Sequence, residues 1–216
     1  MLATLILIAA TALQTAEVTE PATQVKFPTV LQAAAGPQAL TGTGVRTRTM
    51  MKVKVYAFGL YVDEAGARTT LAAWRGKSAA DLARDPALYT EILKGGFPAT
   101  LRLVMTREVA ADQMSDAFNE ALAGRVAQAE TRGMTGGAAA LAQFRAFFTA
   151  PLTEGTELLF ARSGSKLTVS IGGKQSGEID NAALVWALFD IYMGEKPISS
   201  DGKKTLVARL PEVLGA

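Results

Sequence analysis

The sequence predicts a single α+β domain built on an antiparallel sheet. Three observations predict it. Short stretches of alternating apolar residues are bounded by glycine-containing turns. Amphipathic helical segments fall between and after them rather than alternating one-for-one with strands. The 216 residues contain no repeat and no internal linker, a length that suits one domain with a sizeable core.

The elements follow in order. Residues 1–16 are apolar and uncharged, too short to span a bilayer, which takes about 20 apolar residues. They read best as a signal peptide with small-residue cleavage sites at Ala10-Thr11-Ala12 or Ala16, although the positive n-region is missing. A lipid-facing anchor and a buried segment are the alternatives. The favoured reading implies an exported, periplasmic or secreted protein with no integral membrane span in the mature chain. Residues 17–24 are polar and read as a linker, and residues 25–216 as the domain. Strands are expected around Val25–Phe27, over Leu40–Val45 and over Lys52–Val62. The last places Val53, Val55 and Ala57 on one face and Lys54, Tyr56, Phe58 and Leu60 on the other.

Short helices come next. Ala67–Trp74 ends near Gly76, Ser78 caps Ala79–Ala83, and Asp85-Pro86 opens Ala87–Lys94, which Gly95-Gly96 stops. Thr100–Thr106 alternates as a strand. Ala111–Ala129 is a long helix with Met114, Phe118, Ala121, Leu122 and Val126 on one face. Ala138–Phe148 is a second, closed off by Pro151. Strands Glu157–Ala161, Lys166–Ile171 and Gln175–Ile179 are joined by turns at Gly164 and Gly172-Gly173. Asn181 caps an apolar helix, Ala182–Met193, and Thr205–Leu214 is a last helix weakened by Pro211.

Composition excludes much chemistry. The chain has no His, so a Ser-His-Asp triad, a histidine base and histidine metal ligands are absent. It has no Cys, so thiol catalysis, cysteine zinc sites and disulfides are absent too. A net charge of +2 gives no reason to expect a nucleic acid. Gly42-Thr43-Gly44 lacks the third glycine and helix of a dinucleotide loop, because Val45-Arg46-Thr47 continues as strand. Asp201-Gly202 reads as a turn rather than a calcium loop. Asp112, Asp116 and Glu120 share one helix face, a pattern that describes a solvated surface better than a cation site. No metal and no cofactor is expected.

Two residues raise a question about function. Arg46 and Tyr56 lie in a stretch that turns apolar. On one straight strand they would stand roughly 33 Å apart at about 3.3 Å per residue. A reversal near Thr49–Lys52 would set them opposite each other, but that stretch has no Gly, Pro, Asn or Asp. On the residues alone, a shared site and a polar strand face both stand.

The segments "LTGTGVR" and "KVKVYAFGLYVDEAGARTTLAAWRGKSAADL", with the tail "DIYMGEKPISSDGKKTLVARLPEVL", resemble the chalcone isomerase superfamily. The resemblance runs from about Val25 to Leu214. It implies an open-faced β-sandwich, a large antiparallel sheet carrying a helical layer with the ligand cleft between them. The superfamily contains chalcone isomerases, which close a flavanone ring, and noncatalytic and fatty-acid-binding relatives. Arg46 matches the arginine that both kinds use against an anionic oxygen. The isomerases' strand threonine falls at Tyr56, their lysine at Met105, their helix tyrosine at Met114, their asparagine at Ala121 and their late Ser/Thr at Ile191. The resemblance is closer to the fatty-acid-binding branch, in which the arginine and a strand tyrosine hold the carboxylate.

It therefore implies a monomeric, noncatalytic protein that binds a fatty acid or similar amphipathic carboxylate. Arg46 and Tyr56 would be the ligand-binding residues, with Met105, Met114, Phe118, Ala121 and Ile191 lining the pocket and no catalytic residue. The alternative is an intramolecular lyase of chalcone isomerase type.

Overall fold

A computed structural model describes residues 16–48 and 53–215. The sheet has seven strands, all pairings antiparallel and in chain order. They are β3 (Val30–Ala33), β4 (Gly36–Arg48), β5 (Val53–Val62), β6 (Ala99–Met105), β7 (Glu157–Ser163), β8 (Lys166–Ile171) and β9 (Lys174–Asp180). A separate hairpin, β1 (Glu17–Thr19) with β2 (Lys26–Pro28), lies near the start of the described chain. The expected linker is thus structured. Its turn is held by Glu20, whose carboxylate accepts from the amides of Ala22 and Thr23. The expected signal peptide lies outside the described residues, apart from Ala16.

Tight turns carry the hairpins. Gly164 between β7 and β8, and Gly172 with Gly173 between β8 and β9, all have positive φ. This is the backbone that a two-residue hairpin turn demands.

Helices fill the long connections. Between β5 and β6 run α1 (Glu64–Thr70), α2 (Ala79–Leu82) and α3 (Pro86–Lys94). Between β6 and β7 run α4 (Ala111–Glu130) and α5 (Gly137–Arg145). After β9 come α6 (Ala182–Met193), α7 (Ser200–Thr205) and α8 (Leu210–Leu214). The caps are those the sequence offers. Asp85 accepts from the amides of Ala87 and Leu88, and Asn181 from that of Leu184.

Two expectations are corrected. The single helix Thr205–Leu214 is two helices, because Pro211 has no N–H and is tolerated only in the first turn of α8. Asp201-Gly202 lies inside α7 rather than in a turn.

The core sits between one face of the sheet and the helices. Tyr56, Phe58, Leu60 and Val62 of β5 point into it, against Phe118 and Leu122 of α4 and Leu188 and Ile191 of α6. Nearly every side of α6 is apolar, and nine of its residues are buried, as expected of a helix enclosed on all sides. The opposite sheet face carries a smaller cluster, Phe27, Leu40, Ala57, Tyr61 and Val104.

The Gly42-x-Gly44 pair has a packing role. A Cβ on Gly42 would lie 1.9 Å from the backbone oxygen of Thr205, and one on Gly44 would lie 2.7 Å from the Phe58 ring and 2.8 Å from the Gly202 Cα. The α7 segment therefore presses directly on bare β4 backbone. Thr41 adds a hydrogen bond from its hydroxyl to the Leu206 carbonyl at 2.7 Å. The two glycines thus set the surface on which the chain's last motif is laid down, beside the site.

Candidate functional site

Arg46 and Tyr56 are register partners across β4 and β5. The antiparallel pairing sets the two side chains at one end of the sheet, and the reversal expected near Thr49–Lys52 lies outside the described residues. A register irregularity follows at once, between Arg46 and Thr47. Val55 is the residue left without a partner, so Val53 and Val55 of β5 both reach the cleft that Arg46 and Tyr56 line. Bulges re-aim side chains in this way.

The cleft has a volume of about 510 Å³ and lies between the end of the sheet, α4 and the stretch after α6. Its apolar wall includes Met114, Phe118 and Ala121 of α4, Ile191 of α6, and Ile198. Four of the five expected pocket-lining residues are thus found there. Met105 is not. It is the register partner of Tyr56 on β6, but it is buried in the packed core behind that residue.

Arg46 is half-buried and donates from Nη1 to the Ile198 carbonyl at 2.8 Å. That bond fixes the guanidinium against the segment after α6. Among the described residues it forms no salt bridge. A half-desolvated cation with donors to spare is suited to an anion.

The Tyr56 hydroxyl lies 3.1 Å from the Tyr192 hydroxyl, and both residues are buried. Tyr192 is held by Phe58, its ring centroid 4.9 Å away. Burial raises the pKa of Tyr56, with the Tyr192 hydrogen bond and the Arg46 charge partly offsetting it. Burial likewise raises Tyr192, and the neighbouring Tyr56 pushes it further up. Both are neutral phenols. If Tyr192 donates to Tyr56, the Tyr56 proton is free to point at a ligand in the cleft.

Tyr192 is the residue that the sequence reading missed. Its signal was its position directly after Ile191 on a mostly apolar helix, where a buried phenol needs a partner.

A second anchor closes one wall. Arg125 of α4 donates from Nε to Asp190 at 2.9 Å, and from its other nitrogens to the carbonyls of Ala121 and Lys196. It ties α4, α6 and the post-α6 segment together. The cleft's polar lining also includes Arg48, Arg107, Glu120 and Lys196. Among the described residues, no group of His, Cys, Asp and Glu could hold a metal ion. No helix there is long and apolar enough to cross a membrane.

The architecture is an open-faced sandwich with a cleft anchored by arginine and tyrosine at one end of the sheet. The chain belongs to the chalcone isomerase-like family, whose model matches residues 20–208. It is 30% identical over 183 residues to a chalcone–flavanone isomerase of Gentiana triflora, covering 81% of this chain and 83% of that one. It is 31% identical over 189 residues to the corresponding enzyme of Oryza sativa subsp. japonica, covering 82% and 81%. It is also 28% identical over 198 residues to fatty-acid-binding protein 2 of Arabidopsis thaliana, covering 87% of this chain but only 49% of that protein. In fold it is similar to a crystal structure of an Arabidopsis thaliana fatty-acid binding protein. The TM-score is 0.77 with 19% identity, over 93% of this chain and 100% of that one.

Proposed function

We propose that the protein binds a fatty acid or similar amphipathic carboxylate in the cleft, without catalysis. One observation carries this reading: Arg46 and Tyr56, paired across β4 and β5, both line a cleft whose wall includes Met114, Phe118, Ala121 and Ile191. The volume of about 510 Å³ falls within the range of small-molecule sites, roughly 300–1,000 Å³. A carboxylate moved from water into such a place needs charge-assisted hydrogen bonds in return. Arg46 offers its unused donors and Tyr56 a phenol. Methionine suits a flexible chain on the apolar side. The fatty-acid-binding relative supports the same reading.

The test is calorimetric titration of dodecanoate and its methyl ester into wild type, Arg46→Ala, Arg46→Lys and Tyr56→Phe. The acid should bind far more tightly than the ester. Losing the arginine should cost roughly 2–5 kcal/mol and losing the hydroxyl about 1.5–3 kcal/mol. Lysine should rescue only in part, since an ammonium lacks the planar fork. Equal affinity for acid and ester would overturn the reading.

The second reading, an intramolecular lyase, is favoured by the 30% and 31% identities to chalcone–flavanone isomerases. Against it stand the apolar side chains at Met114, Ala121 and Ile191, which leave few groups for proton transfer. Loss of hydroxychalcone absorbance that Arg46→Ala abolishes would establish it. We further propose that the mature chain is monomeric and exported. N-terminal sequencing of protein from its host would find a mature chain beginning near Ala12 or Ala16.

A further inference from the structure

The mouth of the cleft carries more positive charge than one carboxylate uses. Arg46, Arg48, Arg107 and Lys196 all line it, and among the described residues none of the four forms a salt bridge. Among the described residues, Glu120 is the only carboxylate in that lining. The other lining cation, Arg125, is neutralised by Asp190. The excess is placed, not scattered. Arg46 and Arg48 are two residues apart on β4, and Arg107 follows β6, the strand that pairs with the Tyr56 end of β5. Lys196 approaches from the opposite wall, in the segment whose Ile198 carbonyl holds Arg46. Arg48, Arg107 and Lys196 are exposed, so their charge meets a ligand at the rim, while Arg46 is half-buried.

We propose that the head group bound at this mouth is dianionic, a phosphate monoester on an acyl or alkyl chain, with Arg46 and Tyr56 holding its inner oxygens and Arg48 and Arg107 its outer ones. The inference rests on the anion-anchor reading above and deepens it. A phosphate monoester carries close to two negative charges at neutral pH and three strong acceptor oxygens. A single carboxylate has two oxygens and one charge, and bidentate pairing with Arg46 satisfies it. Three of these four lining cations are arginines, whose planar forks match phosphate oxygens. Lys196 adds a mobile point charge. Because the outer groups are exposed, each contributes modestly, and salt screens them.

The experiment titrates dodecanoate, dodecyl phosphate, its monomethyl ester and methyl dodecanoate, as monomers at pH 8 and low salt. The proteins are wild type and Arg48→Gln/Arg107→Gln. Dodecyl phosphate should bind about tenfold or more tightly than dodecanoate or the monoanionic monomethyl ester. The advantage should fall to within about twofold in the double variant, and should shrink in wild type at about 1 M salt. Dodecanoate binding that beats its methyl ester, with no advantage for the dianion, overturns this inference and leaves the carboxylate reading standing. Equal affinity for all four ligands, or none for any, overturns both. A dianion advantage that survives in the double variant removes Arg48 and Arg107 from the site and overturns the assignment.

Discussion

The hydroxyls of Tyr56 and Tyr192 meet at 3.1 Å in a buried position, 136 residues apart in sequence. The contact joins the central sheet to α6. It also links the cleft to the core, because Tyr56 lines the cleft and Tyr192 does not. Under the proposed function Tyr192 would be a positioning residue, acting on the ligand through the Tyr56 proton.

Tyr192→Phe leaves one buried hydroxyl without its partner, which costs about 1–3 kcal/mol of stability. Tyr56→Phe should cost a similar amount. The double replacement removes both polar groups at once and should be less destabilising than the sum of the two, by on the order of 1 kcal/mol. Denaturant unfolding of the four proteins measures this. Strict additivity would show that the two phenols do not interact. In binding, Tyr192→Phe should weaken the acid more than its methyl ester, because the charged carboxylate is the stronger acceptor for the Tyr56 proton.

The glycine pair gives a sharper stability prediction. Overpacking costs about 1–3 kcal/mol where side chains can shift. Gly42 and Gly44 face backbone of the α7 segment, which cannot step aside independently. Gly42→Ala, with its Cβ at 1.9 Å from an oxygen, should exceed that range, and Gly44→Ala should fall at its upper end. Gly124, inside α4 with nothing within 4 Å of a built Cβ, is the internal contrast. Gly124→Ala should stabilise by roughly 0.5–1 kcal/mol through helix propensity. Thermal melts of the three variants decide. A neutral Gly42→Ala would refute the close approach.

Much of this was legible in the sequence, and what was not has physical causes. Period-two alternation and caps located β5 to β9 and α3 to α6. The sequence 49–52 offers no glycine or proline, so only strand pairing could bring Arg46 to Tyr56, and pairing is a long-range property that local residues do not encode. β1 and the turn after it read as linker, because a three-residue strand is too short for periodicity to show, whereas β2 falls on the strand expected around Val25–Phe27. Met105 was assigned to the pocket from a linear correspondence. It faces inward as expected, yet the cleft stops at Tyr56. Tyr192 was hidden for the converse reason: its neighbour Ile191 occupied the matched position. The cationic rim could not be anticipated, because Arg48, Arg107 and Lys196 belong to three separate segments.

Arg162 tests how a buried cation is tolerated. It is 1% exposed, and Nη2 donates to the Ile92 carbonyl at 2.6 Å. The Nε and Nη1 atoms have no protein partner. The guanidinium lies 4.1 Å from the Phe189 ring centroid and 5.8 Å from that of Phe97. Cation–π attraction and the α3 C-terminal carbonyl thus stand in for a counterion. Removing a buried charge together with its unmet donors is often neutral or stabilising when volume is kept. Arg162→Met should therefore change stability by no more than about 1 kcal/mol. Arg162→Ala, which also opens a cavity between two rings, should cost about 2–4 kcal/mol. Unfolding curves compare them. A methionine variant as damaged as the alanine one would show that the charge itself stabilises the fold.

The last prediction concerns alkaline pH. All four tyrosines have pKa values raised by burial: Tyr56, Tyr61, Tyr89, pushed up to about 12, and Tyr192. The unfolded chain releases these protons near pH 10, whereas the native protein keeps them to higher pH. Between the two values the native state binds more protons, so stability falls as pH rises. The contribution is fully present below pH 10 and is lost as pH climbs through the folded-state values. Lys203 and Arg162, both lowered by burial, act in the opposite direction. They are present in wild type and in Tyr56→Phe/Tyr192→Phe alike, so the difference between the two proteins isolates the tyrosine pair. Stability measured by denaturant unfolding from pH 8 to about 11.5 should fall less steeply in the double variant above pH 10. Tyrosinate absorbance in wild type should lag the model-peptide curve and then appear together with unfolding. Parallel pH profiles for the two proteins would mean that these hydroxyls are open to solvent, and the buried Tyr56–Tyr192 pair would not exist in solution.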